Sequence, residues 1–304
     1  MRIAIIDLGT NTFHLLIAEI VGKECTILHK SNQPVRLGED ITKYNQIIPV
    51  AFERGINCLQ DFKSLIDHFE VAVVKAIATS GVRSATNGKD FVTAAKKTVD
   101  INIDVIDGDT EATYIYKAVK WSGSITGPAL IMDIGGGSTE FILCDRENLI
   151  WKKSYNIGAA RLMQSFFNSD PINGTDQQAI TNHLNEQLTE LIEICKINKP
   201  QLLIGSAGAF ESFAEMLDPE LDLKSVSVVP IDYSDYRRLS SRIIHSSHKE
   251  RVAMDKLIPL RVDMIVMATF LTNYILDQFK ITEINLSTYD LKMGVLGAEL
   301  EAMV

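Results

Sequence analysis

Ile6-Asp7-Leu8-Gly9-Thr10-Asn11-Thr12, close to the start of the chain, is echoed by Met132-Asp133-Ile134-Gly135-Gly136-Gly137-Ser138. Each stretch ends a short apolar run, residues 3–6 in the first copy and 130–132 in the second, which reads as a buried strand closing on an Asp. A second apolar run follows each tip directly, at residues 13–18 and 141–144. Each copy therefore predicts a β-hairpin whose tip is built from Gly and small hydroxyl residues. A turn tolerates many sequences, so a repeated tip with one Asp at the same place in each copy asks for more than turn chemistry.

Working outward from the tips, periodicity predicts a helix over 52–69, a strand over 71–78, a helix over 90–99, a strand over 101–106 and a helix over 109–121. After the second tip come a strand at 149–155, helices at 159–167 and 176–197, a strand at 201–204 and a helix at 208–217. The remainder reads as mostly helical, with a short strand near Ile284 and a closing helix through Leu300. Strands and helices alternate in both halves, and the same hairpin opens each half. The pattern is that of an α/β protein made of two duplicated lobes with a cleft between them. The Gly/Ser/Pro-rich segment 122–128 is the natural linker, which sets the first lobe at 1–124 and the second at 125–287. A C-terminal helix at about 288–304 could pack back on the first lobe.

A chain of 304 residues exceeds the reach of one hydrophobic core, and 46% apolar with 23% charged residues is an ordinary globular composition. The opening MRIAIIDLGT, with its Asp inside the apolar run, is neither a signal peptide nor a transit sequence, and no later run has the length of a spanning helix. The four cysteines, Cys25, Cys58, Cys144 and Cys195, are widely spaced and suggest neither a zinc knuckle nor a disulfide framework. These features point to the reducing cytoplasm and away from a membrane. The net charge of −9 offers no long-range attraction for nucleic acid, so an anionic substrate must be held by local devices. A homodimer is left open. His245 and His248, three apart on an expected helix, have zinc-compatible spacing but no third ligand nearby.

The tips supply such a device. A Gly-rich tip lets several backbone N–H groups point into one concavity, and nests of this kind bind phosphate. Two of them could clamp a polyphosphate chain. The Asp before each tip repels phosphate and suits Mg²⁺ or a similar divalent cation, bound directly or through water, which cancels that repulsion and orients the phosphoryl group.

IAIIDLGTNTFHLLIA and LIMDIGGGSTEFIL resemble the two phosphate loops of the actin, sugar-kinase and Hsp70 superfamily. Within it the chain resembles the exopolyphosphatase and guanosine pentaphosphate phosphohydrolase (Ppx/GppA) family. The resemblance continues through Ala78-Thr79-Ser80-Gly81-Val82-Arg83, Val105-Ile106-Asp107-Gly108-Asp109-Thr110-Glu111-Ala112, Gly205-Ser206-Ala207-Gly208 and residues 287–296. It implies two actin-like (ribonuclease H-like) lobes, and release of terminal phosphate from inorganic polyphosphate or guanosine pentaphosphate. It also implies that Glu111 is the general base activating water. Gly9, Thr10, Asn11, Thr12, Arg83, Gly135, Gly136, Gly137, Ser138 and Gly208 would be the phosphate contacts, and Asp7, Asp133 and Glu140 the metal-holding carboxylates. His14, at the place of Glu140 in the first hairpin, reads as structural. Two departures stand out: Thr110 where members often carry an acid before Glu111, and Lys292, which cannot make the bidentate phosphate contact of the Arg that many carry there. The chain ends soon after Leu296, as the short two-lobe members do. An ATP-dependent small-molecule kinase of the same superfamily and a nucleotide-binding actin-like assembly protein are the competing readings.

Overall fold

The computed structural model of the chain describes residues 1–22 and 24–302. They form two compact units, Met1–Tyr114 with the segment from Leu291 onward, and Ile115–Asp290. The division falls between Tyr114 and Ile115, inside a helix, and not at 124/125.

The first unit runs β1 (Arg2–Leu8), β2 (Thr12–Val21), β3 (Glu24–Pro34), α1 (Ile41–Tyr44), α2 (Pro49–His68), β4 (Val73–Ala78), α3 (Ser80–Arg83), α4 (Gly88–Val99), β5 (Ile103–Val105) and α5 (Gly108–Ser122), whose later turns belong to the second unit. Its five-stranded sheet has the order β3-β2-β1-β4-β5. The first three strands form an antiparallel meander, and β4 and β5 run parallel to β1. Central β1 is buried from Ile3 to Leu8, as a near-continuous apolar run requires. One face of α2 buries Cys58, Leu59, Phe62 and Ile66 against the sheet residues Ile6, Phe13 and Leu15 and the α4 residue Phe91.

The second unit repeats the plan with β6 (Ala129–Ile134), β7 (Thr139–Cys144), β8 (Leu149–Tyr155), α6 (Ala159–Phe166), α7 (Gly174–Gln187), α8 (Thr189–Asn198), β9 (Leu202–Ser206), α9 (Gly208–Leu217), β10 (Val228–Ile231), α10 (Tyr233–His245), α11 (His248–Val252), α12 (Met264–Phe279) and β11 (Glu283–Ser287). The six-stranded order is β10-β11-β9-β6-β7-β8. Here β6-β7-β8 is the antiparallel meander, β9 and β11 lie parallel beyond β6, and β10 closes the edge antiparallel. The apolar α12 centres a core with Phe141, Leu203, Phe210 and Leu286.

The last helix, α13 (Leu291–Ala302), belongs to the first unit and packs on β1, with Glu299 paired to Lys75 at 3.1 Å. Gly294 lies so close to α5 that a Cβ would come within 1.9 Å of the Tyr114 carbonyl oxygen, so this crossing needs glycine.

Three expectations change. The helix over 176–197 is two helices, broken at Leu188, where the Thr189 hydroxyl bonds the carbonyls of Asn185 and Glu186. The strands β3 and β10 are not predicted by periodicity. His245 and His248 lie on different helices because Ser247 starts α11 with a capping box; His248 Nδ1 meets Asp263 at 2.7 Å and His245 Nδ1 meets the Ser241 carbonyl. Among the described residues no helix is long and apolar enough to cross a membrane.

Candidate functional site

In the first unit the tip between β1 and β2 closes with the Gly9 N–H donating to the Thr12 carbonyl at 3.1 Å. The Thr10 and Asn11 carbonyls are taken from one side by the N–H groups of Gly38 (2.8 Å) and Arg36 (2.7 Å). In a trans peptide the next N–H points opposite to the carbonyl, so the N–H groups of Asn11 and Thr12 face away from that loop. Thr10 itself is wedged between Gly38 and Gly81, where a Cβ would approach it to 2.3 Å and 2.9 Å. A tip walled by glycines on both sides has little freedom to rearrange.

The second tip repeats the geometry with a different backing. Gly135 N–H donates to the Ser138 carbonyl at 3.0 Å, and the carbonyls of Gly135, Gly136 and Gly137 are taken by Ala159 N (2.9 Å), Arg161 N (3.0 Å) and Arg161 Nε (3.0 Å). By the same peptide geometry the N–H groups of Gly136, Gly137 and Ser138 face away from the start of α6. Gly158 presses on this tip; a Cβ there would meet the Gly136 carbonyl carbon at 2.5 Å. Burial lowers the pKa of the Arg161 guanidinium from its ordinary value, yet an arginine stays charged.

Two candidates of the first unit are brought into contact. Asp107 caps α5 by accepting the Thr110 N–H at 2.7 Å, which fixes the first turn and places Glu111 in it, 6% exposed. Arg83, at the end of α3, donates from Nη1 to Glu111 Oε2 at 3.0 Å and to the Ile106 carbonyl at 2.8 Å. Lys292 is buried in the first turn of α13 in the same unit.

The candidate metal carboxylates divide between the units. Asp133 and Glu140 are direct cross-strand partners on β6 and β7, 7% and 1% exposed, and Ser154 on β8 donates to Glu140 Oε1 at 2.6 Å. Two like charges facing each other on a buried sheet surface repel, and a cation between them removes that cost. The donors are hard oxygens, and Mg²⁺ is commonly held by one or two carboxylates with water and substrate phosphate completing its shell. The pair therefore fits such an ion. At the matching positions of the first unit, Asp7 faces His14. Among the described residues no group of three or more His, Cys, Asp and Glu side chains is placed to hold a metal, so the protein's own share would be small.

Gly208 opens α9 immediately after Ala207, which is held at φ 61° and ψ −171°, a region that strains a residue with a Cβ. The guanidinium of Arg261 rests on Gly208, where a Cβ would lie 2.0 Å from Nη2, and it pairs with Glu211 at 3.4 Å. Burial lowers the Arg261 pKa, opposed by Glu211 and Glu215; burial and Glu211 raise that of Glu215. Sequence reasoning misses Arg261, since its only local signal is a Pro259-started turn ahead of an apolar helix.

Residues 16–302 match the pattern of the Ppx/GppA phosphatase family. Among solved structures, an exopolyphosphatase from Cytophaga hutchinsonii is 36% identical and superposes with a TM-score of 0.96, covering 99% of this chain and 98% of that one. A putative exopolyphosphatase of Haemophilus influenzae is 29% identical over 296 residues, 97% of this chain and 90% of its own length. A guanosine-5'-triphosphate,3'-diphosphate pyrophosphatase of Pseudoalteromonas translucida is 29% identical over 214 residues, 70% of this chain and 43% of its own length. The chain spans about half the length of several such longer relatives. The chain is an α/β protein with two mixed sheets, one in each unit.

Proposed function

The chain belongs to the Ppx/GppA phosphatase family, and from that premise we propose that it is a metal-assisted phosphohydrolase that releases the terminal phosphate of inorganic polyphosphate or guanosine pentaphosphate. The observation that carries the reading is the Arg83–Glu111 pair, a carboxylate fixed in the first turn of a capped helix by a phosphate-competent cation. Each backbone tip offers N–H donors suited to phosphate, and the relatives named exopolyphosphatase and pyrophosphatase supply the substrate class.

Glu111 accepts a proton from water as the water oxygen bonds to the terminal phosphorus, and the bridging oxygen leaves with the P–O electron pair on the shortened chain. Arg83 keeps the carboxylate in place and offers charge to the transferring phosphoryl group. The N–H groups of the tips orient the chain without adding like charge. Asp133 and Glu140 would hold a divalent cation such as Mg²⁺, which would supply neutralisation of the charge that develops on the phosphate oxygens.

Incubating the protein with Mg²⁺ and, separately, polyphosphate, guanosine pentaphosphate and ATP, while measuring released phosphate, tests the reading. Phosphate release from either of the first two supports it. Transfer from ATP to an acceptor, or ATP-dependent polymers without turnover, replaces it with the kinase or assembly reading.

A further inference from the structure

The register of the second sheet aligns one polar side chain from each of five neighbouring strands. Ser154 on β8 is opposite Glu140 on β7, Glu140 opposite Asp133 on β6, Asp133 opposite Ser206 on β9, and Ser206 opposite Ser287 on β11. Residues at matching register positions share a face, so the row crosses the sheet on the side away from the Leu130, Met132, Phe141 and Leu203 core. In the first sheet the equivalent row reads Asn32, His14, Asp7, Ile77 and Asp104. Beside the repeated Asp it carries an isoleucine where the second sheet carries Ser206.

The outer members of the row have protein partners. Ser154 bonds Glu140, and Ser287 donates to the Tyr289 carbonyl at 2.9 Å while accepting the Tyr289 N–H. Ser206 Oγ is different: it is fully buried and has no hydrogen-bond partner among the described residues. A buried hydroxyl left unpaired is costly, and a packing role alone would be served better by alanine.

We propose that the Ser206 hydroxyl is a positioning group for the divalent cation of Asp133 and Glu140, bonding a water of the cation's shell beside Asp133. The proposal rests on the cation reading above. Mg²⁺ keeps several waters, and those waters need acceptors and donors fixed by the protein. Outer partners of this kind typically govern affinity by about 10–100-fold. The hydroxyl is then unsatisfied only when the ion is absent, which makes a pair of opposite signs in experiment.

The test is Mn²⁺ binding by calorimetry, with thermal melting in the presence of a chelator, on the parent and on Ser206→Ala, Ser206→Thr and Asp133→Asn. Ser206→Ala should weaken Mn²⁺ roughly tenfold while its metal-free melting temperature stays level or rises, because an unpaired buried hydroxyl has gone. Ser206→Thr, which keeps the hydroxyl, should bind more tightly than Ser206→Ala. Unchanged affinity in Ser206→Ala, or a loss that tracks a lowered metal-free melting temperature, overturns the proposal while leaving the carboxylate site standing. Unchanged affinity in Asp133→Asn overturns the cation reading itself, and this proposal with it.

Discussion

The two hairpin tips share a turn and differ in almost everything that surrounds it. The first, Gly9 to Thr12, keeps side chains at three of its four positions and is backed by the loop at Arg36 and Gly38. The second, Gly135 to Ser138, is glycine at three of four and is backed by the start of α6. Beside the first tip Asp7 faces a histidine; beside the second Asp133 faces a glutamate. The first unit in turn holds the Arg83–Glu111 pair. Duplication has kept the backbone donor arrangement, which depends on turn geometry, and has let the side-chain chemistry diverge. On this reading proton transfer belongs to the first lobe and cation holding mainly to the second.

The largest effect should come from Glu111. Glu111→Gln preserves shape and the Arg83 hydrogen bond but cannot take a proton, so turnover should fall by roughly 10²–10⁴-fold. Substrate affinity should be retained, because the nests and Arg83 are untouched. Activity close to that of the parent on its best substrate would place the base elsewhere and remove the division of labour between lobes.

The next effect separates Glu140 from His14. Glu140→Gln should raise the Mg²⁺ concentration needed for half-maximal phosphate release by about 10–100-fold. His14→Gln, the change at the matching position, should leave that concentration near the parent's. Equal shifts in the two variants would mean that the Asp133–Glu140 pairing is not what sets the Mg²⁺ requirement.

How the tips are braced can be broken directly. Gly158→Ala drives a Cβ into the Gly136 backbone, whereas Gly38→Ala drives one into the Thr10 Cγ2, at the end of a side chain. Overpacking costs about 1–3 kcal/mol, and a backbone cannot rotate out of the way. Gly158→Ala should therefore lower the melting temperature more than Gly38→Ala does, and should lose more activity as the glycine tip shifts. The reverse order would show that the α6 backing yields more easily than the Gly38 loop.

Much of this comparison is legible in the amino-acid sequence, because it is local. Both tips, the Asp preceding each and the acidic first turn of α5 are contiguous along the chain, and β1 and β6 announce themselves as unbroken apolar runs. The strands that periodicity misses lack that signal. β3 is half exposed along its length and reads Glu-Cys-Thr-Ile-Leu-His-Lys-Ser-Asn-Gln-Pro, while β10 is a four-residue edge strand containing Pro230. Residues that act across the chain stay hidden for a different reason. Gly158 matters only because it meets Gly136, Arg261 because it rests on Gly208, and Ser206 because the register sets it beside Asp133. No spacing rule along the sequence encodes such encounters. The break at Leu188 is likewise invisible to periodicity, since α7 and α8 keep their apolar positions in step across it.

The smallest effect concerns how Glu111 is presented. Asp107 accepts the Thr110 N–H and so ties down the turn that carries the carboxylate, whereas α9, which opens after Ala207, has no side-chain cap. Loss of such a cap typically costs about 1 kcal/mol. Asp107→Ala should therefore lower stability by that order, and a looser first turn should reduce turnover by a few-fold with little change in substrate affinity, because the group that drifts is the base and not a binding contact. Asp107→Asn keeps an oxygen acceptor and ranks with Asp as a cap, so both measures should recover nearly to the parent's, short only of the charge that favours a helix N-terminus. Parallel denaturant melts and steady-state kinetics on the two variants decide the point. If alanine and asparagine reduce turnover equally, the charge of Asp107 acts on the reaction itself, and the cap is not what the first lobe needs from it.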